Sequence, residues 1–597
     1  YYNLFYYITR HFTAAIPNIR QGMPNIYSGI VVLILIPLYF IAKGINLKVK
    51  LMHLALIIFL IASFNTNVLN FIWNGFHYPN QIPYRFSFVY IFLILSMGYE
   101  AFKKMNEFTG KQIAIISVLI LGAIFISRKF DDLTLVNSTV YLSIAFIVLY
   151  AVGFTLNKYT NIRQNYKIII IFMVIIAEVM VNTMITVKRI NSAENYEERD
   201  GYSSGKEVKQ TRDQISSIAA NDKGFFRLEV IPPKTANDPF LYNYRGLSLF
   251  SSTTPKLTVK LFDSLGFSSN TTNSYKYEGS TPILDSIFGI KYMVYRSSEI
   301  KDTMYEQIAT ADNIKVFRNP YALTLGFQSL NELKNFHGIM SNPFDTQNKF
   351  INSICGVKDI LVPISQKPGT LSNLTYSSVS DSSYNFKRNN KDYESAARIQ
   401  FMIEKDQQVY LYYKLNSFML CTGYVKINDK KIVFLPNRST IINLGFCKSG
   451  TVAEMNIDFK KDNADSGTFE VYSYALDQVA FEKAMTILSK RSMTVENFKD
   501  TNIRGSINAE SDGLMVMSIP YDKGWHVKVD NKEVGTQAID NCLLSFDIAK
   551  GSHSIELRYI PDKFIIGLVI TLVSIFILLF IIIIDTIFRS SRRCTID

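Results

Sequence analysis

The sequence predicts a polytopic α-helical membrane protein with a large extracellular α+β region that ends in tandem β-sandwich modules and a C-terminal transmembrane helix. Three observations predict it. The stretch 564–588 is apolar except for Asp585 near its end, and Arg589, Arg592 and Arg593 follow at once. At ~1.5 Å rise per residue such a helix crosses a ~30 Å hydrocarbon core, and the arginines mark its far end as cytoplasmic. Further apolar segments fill the first 190 residues, with basic loops recurring between alternate pairs. Between these two membrane parts, an internal repeat of alternating apolar and polar residues reads as β-structure.

The composition agrees with a mixed membrane and soluble protein. The 597 residues are 48% hydrophobic and 13% aromatic, with a mean hydropathy of +0.11. That is too polar for a helical bundle alone and too apolar for an ordinary soluble enzyme. A formal net charge of +13 comes from 63 basic and 50 acidic residues. No dense Lys/Arg block or nucleic-acid motif concentrates it, so membrane-flanking positions explain much of it and nucleic acid is not an expected partner. The cysteines are Cys355, Cys421, Cys447, Cys542 and Cys594. None has metal-ligand spacing, and no metal site is expected from them; Cys421 and Cys447 read either as a bridge between adjoining strands or as separate core thiols.

Six apolar segments form the expected membrane domain, 1–190: 27–42, 51–64, 86–102, 112–126, 139–156 and 168–187. Lys43, Lys48 and Lys50 fill the first connecting loop, Lys103, Lys104 and Lys111 the third, and Lys158, Arg163 and Lys167 the fifth. The alternate loops, 70–85 and 129–137, are poorer in net positive charge and belong outside. The sixth helix then runs outward, in agreement with the C-terminal anchor, although Lys188 and Arg189 depart from the rule. The same alternation puts Tyr1 outside, and there is no initiator Met or signal-peptide pattern. The chain therefore reads as the C-terminal part of something longer.

The outer region is expected as an α+β domain over 191–385, a β-sandwich over 386–485 and a second sandwich over 486–561, with the anchor and basic tail over 562–597. Polar helical sequence opens it at 194–220, and short strands follow at 225–231 and 292–295. Gly423-Tyr424-Val425-Lys426-Ile427-Asn428-Asp429-Lys430 resembles Gly524-Trp525-His526-Val527-Lys528-Val529-Asp530-Asn531-Lys532 with one residue inserted. In the second copy Trp525, Val527 and Val529 alternate with His526, Lys528 and Asp530, and Asp530-Asn531 supplies a turn. Residues 555–559 alternate in the same way.

The outer loop 70–85 carries the strongest chemical signal, with Trp73, His77, Tyr84 and Arg85 as candidates for binding a lipid phosphate or its sugar. Aromatic rings suit the headgroup zone, two prolines stop the helix, and Arg85 opens the next span where a phosphate can be paired bidentately. An interfacial anchor loop with a snorkelling Arg85 is the alternative reading. Glu178 lies about half-way through the sixth helix with Asn182 one turn on, so both polar groups share a face. A carboxylate there costs roughly 2.5–3.5 kcal/mol on insertion scales and needs a partner, water or a proton. A polar interhelical lock, substrate chemistry and a proton or ion path are the open readings. Asp131-Asp132 reads as a base and metal-ligand pair or as a solvated loop, and His53 as a packing residue. Asn237-Asp238 and Asp285 read as sugar ligands or as turn and cap residues.

With these stretches in view, the chain resembles the YfhO-type bacterial membrane proteins. The resemblance rests on Pro24-Asn25-Ile26-Tyr27-Ser28-Gly29, on Pro83-Tyr84-Arg85-Phe86, and on Glu178 with Asn182. Further on come Phe226-Arg227-Leu228-Glu229, Asn237-Asp238, Phe250-Ser251-Ser252, the segment 284–292 and Pro520-Tyr521-Asp522-Lys523-Gly524-Trp525. The resemblance implies a GT-C-like glycosyltransferase in the bacterial plasma membrane. Its donor would be an undecaprenyl-phosphate-linked sugar, N-acetylglucosamine in some members, and its acceptor a teichoic-acid-type polymer such as lipoteichoic acid. Transfer would take place among membrane lipids on the outer face by an inverting displacement. In GT-C enzymes the acidic catalytic residue usually sits in the first outer loop, which is expected upstream of Tyr1, so no catalytic base is carried over. No cofactor is identified, and a divalent metal is left open. Two other classes stand beside the transferase: a non-catalytic membrane-anchored accessory or scaffold protein that binds envelope polymer, and a lipid or polymer transporter.

Overall fold

A computed structural model describes residues 4–79, 81–130, 136–159, 164–296, 304–338, 341–380, 382–415, 421–428, 430–434, 439–460 and 465–593. The Asp131-Asp132 pair, Asn80 and Cys594 lie outside these residues. The chain divides into two compact units, 1–199 and 200–597. This division falls nine residues later than the 190/191 boundary expected from hydropathy, because the Gln164–Glu194 helix continues past its apolar stretch.

Unit 1 is helical. Each expected span forms a helix: Val31–Ile41, Leu47–Asn65, Ser87–Lys103, Gly110–Phe130, Asn137–Tyr159 and Gln164–Glu194. Four of these are long and apolar enough to cross a membrane, and Phe564–Thr586 in unit 2 is a fifth. Of the six helices expected in the first domain, two are shorter than these four. Ser87–Lys103 has 17 residues, and Val31–Ile41 has 11, which at ~1.5 Å per residue reaches roughly half-way across a ~30 Å core. The shorter one is nonetheless at the centre of the bundle. Ile30, Ile34 and Leu38 are fully buried, and the neighbouring faces supply Ile94, Met97, Ile124 and Ile147. Residues 27–30 stay outside the helix because Gly29 takes φ 90° and the Ile30 N–H donates to Glu178 instead of to a helical carbonyl.

Unit 2 begins with a 3-to-1 mixed sheet in the order Arg227–Ile231, Ile290–Tyr295, Ile314–Arg318, Glu306–Ala311, its first pair parallel and the rest antiparallel. The Lys206–Asn221 helix covers one face with Val208, Ile215 and Ile218. Downstream, a five-stranded sheet in the order 366–372, 395–402, 452–459, 421–427, 430–434 faces a six-stranded one built from 361–363, 374–380, 383–388, 407–415, 442–447 and 466–476. Ile399, Val425 and Met455 from the first sheet meet Leu411, Tyr413 and Val471 from the second in one core. Cys421 and Cys447 lie in opposite sheets and the Cys447 thiol is free, which answers against the bridge.

The second sandwich pairs the sheet 494–499, 502–509, 551–559, 525–529, 532–534 with the sheet 537–539, 543–548, 513–520 and Gly326–Ser329. Val527 is fully buried while His526 and Lys528 are exposed, and Asp530 and Asn531 both take positive φ, 50° and 64°, at the hairpin turn. The strand Gly326–Ser329 comes from outside the expected bounds of 486–561. All four of its residues are buried, so it has no alternation to betray it.

Glu229, in the first strand of unit 2, gives a measurable pH signature. Burial pushes its carboxyl up to about 7, against the main-chain N–H groups of Leu247 and Ser248 that donate to it. Between pH ~4.5 and ~7 the folded form holds a proton that the unfolded chain has released, so stability falls as pH rises across that window. The total change is on the order of 3 kcal/mol. Unfolding scans of wild type and Glu229→Gln should therefore diverge with rising pH, the wild type losing ground to the variant; parallel curves would contradict this assignment.

Candidate functional site: a cavity beside Arg85 and a buried carboxylate hub

Two loops of unit 1 enclose a cavity of about 300 Å³ lined by residues 18–25, 82–85 and Ser87. The earlier loop is braced by its own amides. Asn18 N–H donates to Asn25 Oδ1 at 3.0 Å, Asn25 Nδ2 donates to the Asn18 carbonyl at 2.8 Å, and Asn18 Nδ2 donates to the Met23 carbonyl at 2.7 Å. Gly22 sits at φ 113°, where a Cβ would lie 2.9 Å from the Asn18 side chain, so this turn requires glycine. The Ile82 N–H donates to the Arg20 carbonyl at 2.7 Å and ties the second loop to the first.

Two guanidinium groups line this cavity. Arg20 donates to Glu194 at 2.7 Å and is neutralised by it. Arg85 is exposed and, among the described residues, makes a single long hydrogen bond, from Nη2 to the Gln81 carbonyl at 3.4 Å. Among the described residues no carboxylate lines the cavity. Tyr84 is the aromatic residue of the lining and packs edge-on against Phe64 at 5.7 Å, while elsewhere in the same loop exposed Phe76 and Tyr78 pack on Phe71.

Of the four candidates in this loop, the structure brings Tyr84 and Arg85 to the cavity and leaves Trp73 and His77 out. Trp73 stacks on Phe86 with centroids 4.9 Å apart and donates to Ser63 Oγ at 3.2 Å, which makes it a packing residue. His77 is exposed and its Nδ1 lies 3.0 Å from the Asn74 carbonyl, a turn contact. Sequence reasoning missed Arg20 and Asn18 as lining residues. Asn25 belongs to the stretch 24–29, and nothing in the sequence spacing joins it to Arg85.

Glu178 is buried at 1% exposure and takes four hydrogen bonds. Thr13 Oγ1 at 2.8 Å, Tyr27 OH at 2.8 Å and the Ile30 N–H at 2.7 Å all donate to Oε1, and Tyr150 OH donates to Oε2 at 2.8 Å. One turn on, Asn182 Oδ1 accepts the Ala14 N–H at 2.8 Å. Ala14 is at φ 58°, and its carbonyl accepts from Thr139 Oγ1 and Arg189. Among the described residues no cation pairs with Glu178. One face of the long helix thus grips the 13–14 turn and the entry to the short central helix. The other candidates hold local structure. His53 Nδ1 meets Tyr39 OH at 2.7 Å, Asn237 Oδ1 accepts the Phe250 N–H at 2.8 Å, Asp238 accepts the Lys234 and Thr235 N–H groups at 2.7 Å, and Asp285 accepts the hydroxyls of Tyr277, Ser280 and Tyr305.

The family model "Bacterial membrane protein YfhO" matches residues 2–571. The chain belongs to the YfhO family. A relative, "Uncharacterized protein YfhO" of Bacillus subtilis (strain 168), is 21% identical over 552 residues, covering 85% of this chain and 60% of that protein. The YfhO-family chain thus spans about 60% of the length of the curated relative it matches. Among solved structures, a conserved protein of unknown function from Pseudomonas aeruginosa PAO1 aligns at 6% identity over 33% of this chain and 93% of that one, with a TM-score of 0.11. A β-glucosidase from Kluyveromyces marxianus aligns at 14% identity over 56% and 34% of the two chains, also with a TM-score of 0.11. Likenesses at that score carry no argument about this fold or its activity.

Proposed function

We propose that this YfhO-family protein takes part in sugar transfer at the bacterial plasma membrane, moving a sugar such as N-acetylglucosamine from undecaprenyl phosphate to an envelope polymer of the lipoteichoic-acid type. Unit 2 faces the outside in this reading, which the basic loops and the arginines after the C-terminal helix support. The observation that carries the proposal is the cavity beside Arg85, where an exposed guanidinium with one long hydrogen bond among the described residues stands next to Tyr84. A lipid phosphate seated there gains a charge-assisted, bidentate partner. When the sugar–phosphate bond breaks, negative charge grows on the departing phosphate, and a fixed cation stabilises that charge more than the ground state.

A second reading is favoured by a specific observation: no carboxylate lines the cavity among the described residues. The same groups would then bind lipid phosphate without chemistry, as an accessory protein does. The intact protein in proteoliposomes, supplied with labelled undecaprenyl-phosphate sugar and a glycerol-phosphate polymer, separates the two. Label appearing in the polymer supports the transferase; lipid binding with no transfer supports the accessory reading. The saturated Glu178 hub favours an interhelical lock over a transport path.

A further inference from the structure

We propose that unit 2 carries a second anion site, a small cavity walled by Arg227 that takes a single phosphate group. The cavity measures about 100 Å³, and Arg227, Thr258, Tyr275 and Ser518 are polar members of a largely apolar lining that includes half-buried Ile519. It has room for one tetrahedral oxyanion.

Arg227 is only 8% exposed, and among the described residues no carboxylate hydrogen-bonds to it, Glu229 acting on it only through space. Its Nη1 donates to the Phe288 carbonyl at 2.7 Å and to Ser518 Oγ at 2.9 Å, and its Nη2 donates to the Ser518 carbonyl at 2.7 Å. A guanidinium has five N–H donors, so two are left without a hydrogen-bond partner among the described residues. The acid two residues along, Glu229, is turned to the Leu247 and Ser248 main chain instead of pairing with Arg227. Burial lowers the guanidinium to about 10, so it keeps its charge at neutral pH.

The surroundings add positive charge. Arg227 lies over the Phe225 ring at 5.3 Å, Phe225 meets Phe498 edge-on at 5.3 Å, and Arg245 lies over Phe498 at 4.3 Å. Two arginines therefore flank one ring pair. Three of the segments that carry the family resemblance meet at this wall through Arg227, Phe288 and Pro520. A structural arginine joining the first strand to residue 518 explains the three bonds it makes. It does not explain two spare donors beside a cavity. The inference is independent of sugar transfer, because occupancy is read without any reaction.

The test uses the intact protein in detergent, carrying Arg85→Ala so that unit 1 does not contribute, and titrated with inorganic phosphate by calorimetry. One saturable site is expected. Arg227→Gln should weaken it at least tenfold, and Ile519→Trp, which enlarges a lining side chain into the cavity and leaves the guanidinium in place, should do the same. A parallel titration with a glycerol phosphodiester separates the sources: equal or weaker binding assigns free phosphate or a monoester, and tighter binding assigns a phosphodiester polymer. Should Arg227→Gln fail to fold, Ile519→Trp alone decides. Absence of saturable binding of either ligand, or undiminished binding in Ile519→Trp, overturns the site.

Discussion

Replacing Glu178 by Ala is expected to unfold the helical unit or to leave it unrecoverable from detergent, while Glu178→Gln leaves it intact. The alanine strands four donors, from Thr13, Tyr27, Ile30 and Tyr150, in an apolar interior. Each unsatisfied buried donor costs about 1–3 kcal/mol, and partial relaxation still leaves a loss on the order of 4 kcal/mol. Glutamine keeps an oxygen for the three donors that converge on Oε1, and its amide faces Tyr150, whose hydroxyl turns from donor to acceptor. Its cost should stay within about 1 kcal/mol. Thermal unfolding of both variants in detergent measures this. A well-folded Glu178→Gln protein that has lost lipid flipping would instead make the carboxylate part of a transport path.

Arg85→Ala is expected to lower kcat/KM for sugar transfer by about a hundredfold, the scale seen when one preorganised stabilising donor is removed. Arg85→Lys should recover part of this, since an ammonium restores charge without the planar fork. Folding should be unaffected, because the side chain is exposed and makes one long hydrogen bond. Trp73→Ala tests the neighbouring assignment from the other side. It removes the stack on Phe86 and the bond to Ser63, and should lower thermal stability with a smaller effect on transfer per folded molecule. An equal effect of Trp73→Ala and Arg85→Ala on transfer by well-folded protein would return Trp73 to the binding site.

The helices were legible in the sequence wherever apolar runs were long and their flanks charged, as in Leu47–Asn65 and Phe564–Arg593. The start of the central helix was not. Tyr27 and Ile30 count as apolar in a hydropathy reading, yet their polar groups are claimed by a carboxylate some 150 residues later. Alternation revealed Trp525–Val529 and its hairpin, whereas Gly326–Ser329, buried throughout, carried no period. For the site, nearness in sequence grouped Trp73 and His77 with Arg85. Packing separates them, because Trp73 is drawn onto Phe86 and the opposite cavity wall comes from the far earlier loop of Asn18, Arg20 and Asn25. Glu178 and Asn182 were readable as a shared polar face from their one-turn spacing, but their partners in the 13–14 turn were not.

The most direct test of the central claim, that the cavity beside Arg85 holds a lipid phosphate, is equilibrium binding of a fluorescent polyprenyl phosphate to the intact protein in nanodiscs. Saturable binding to wild type, weakened at least tenfold in Arg85→Ala and unchanged in His77→Ala, is the predicted result. Equal affinity of wild type and Arg85→Ala would contradict the account.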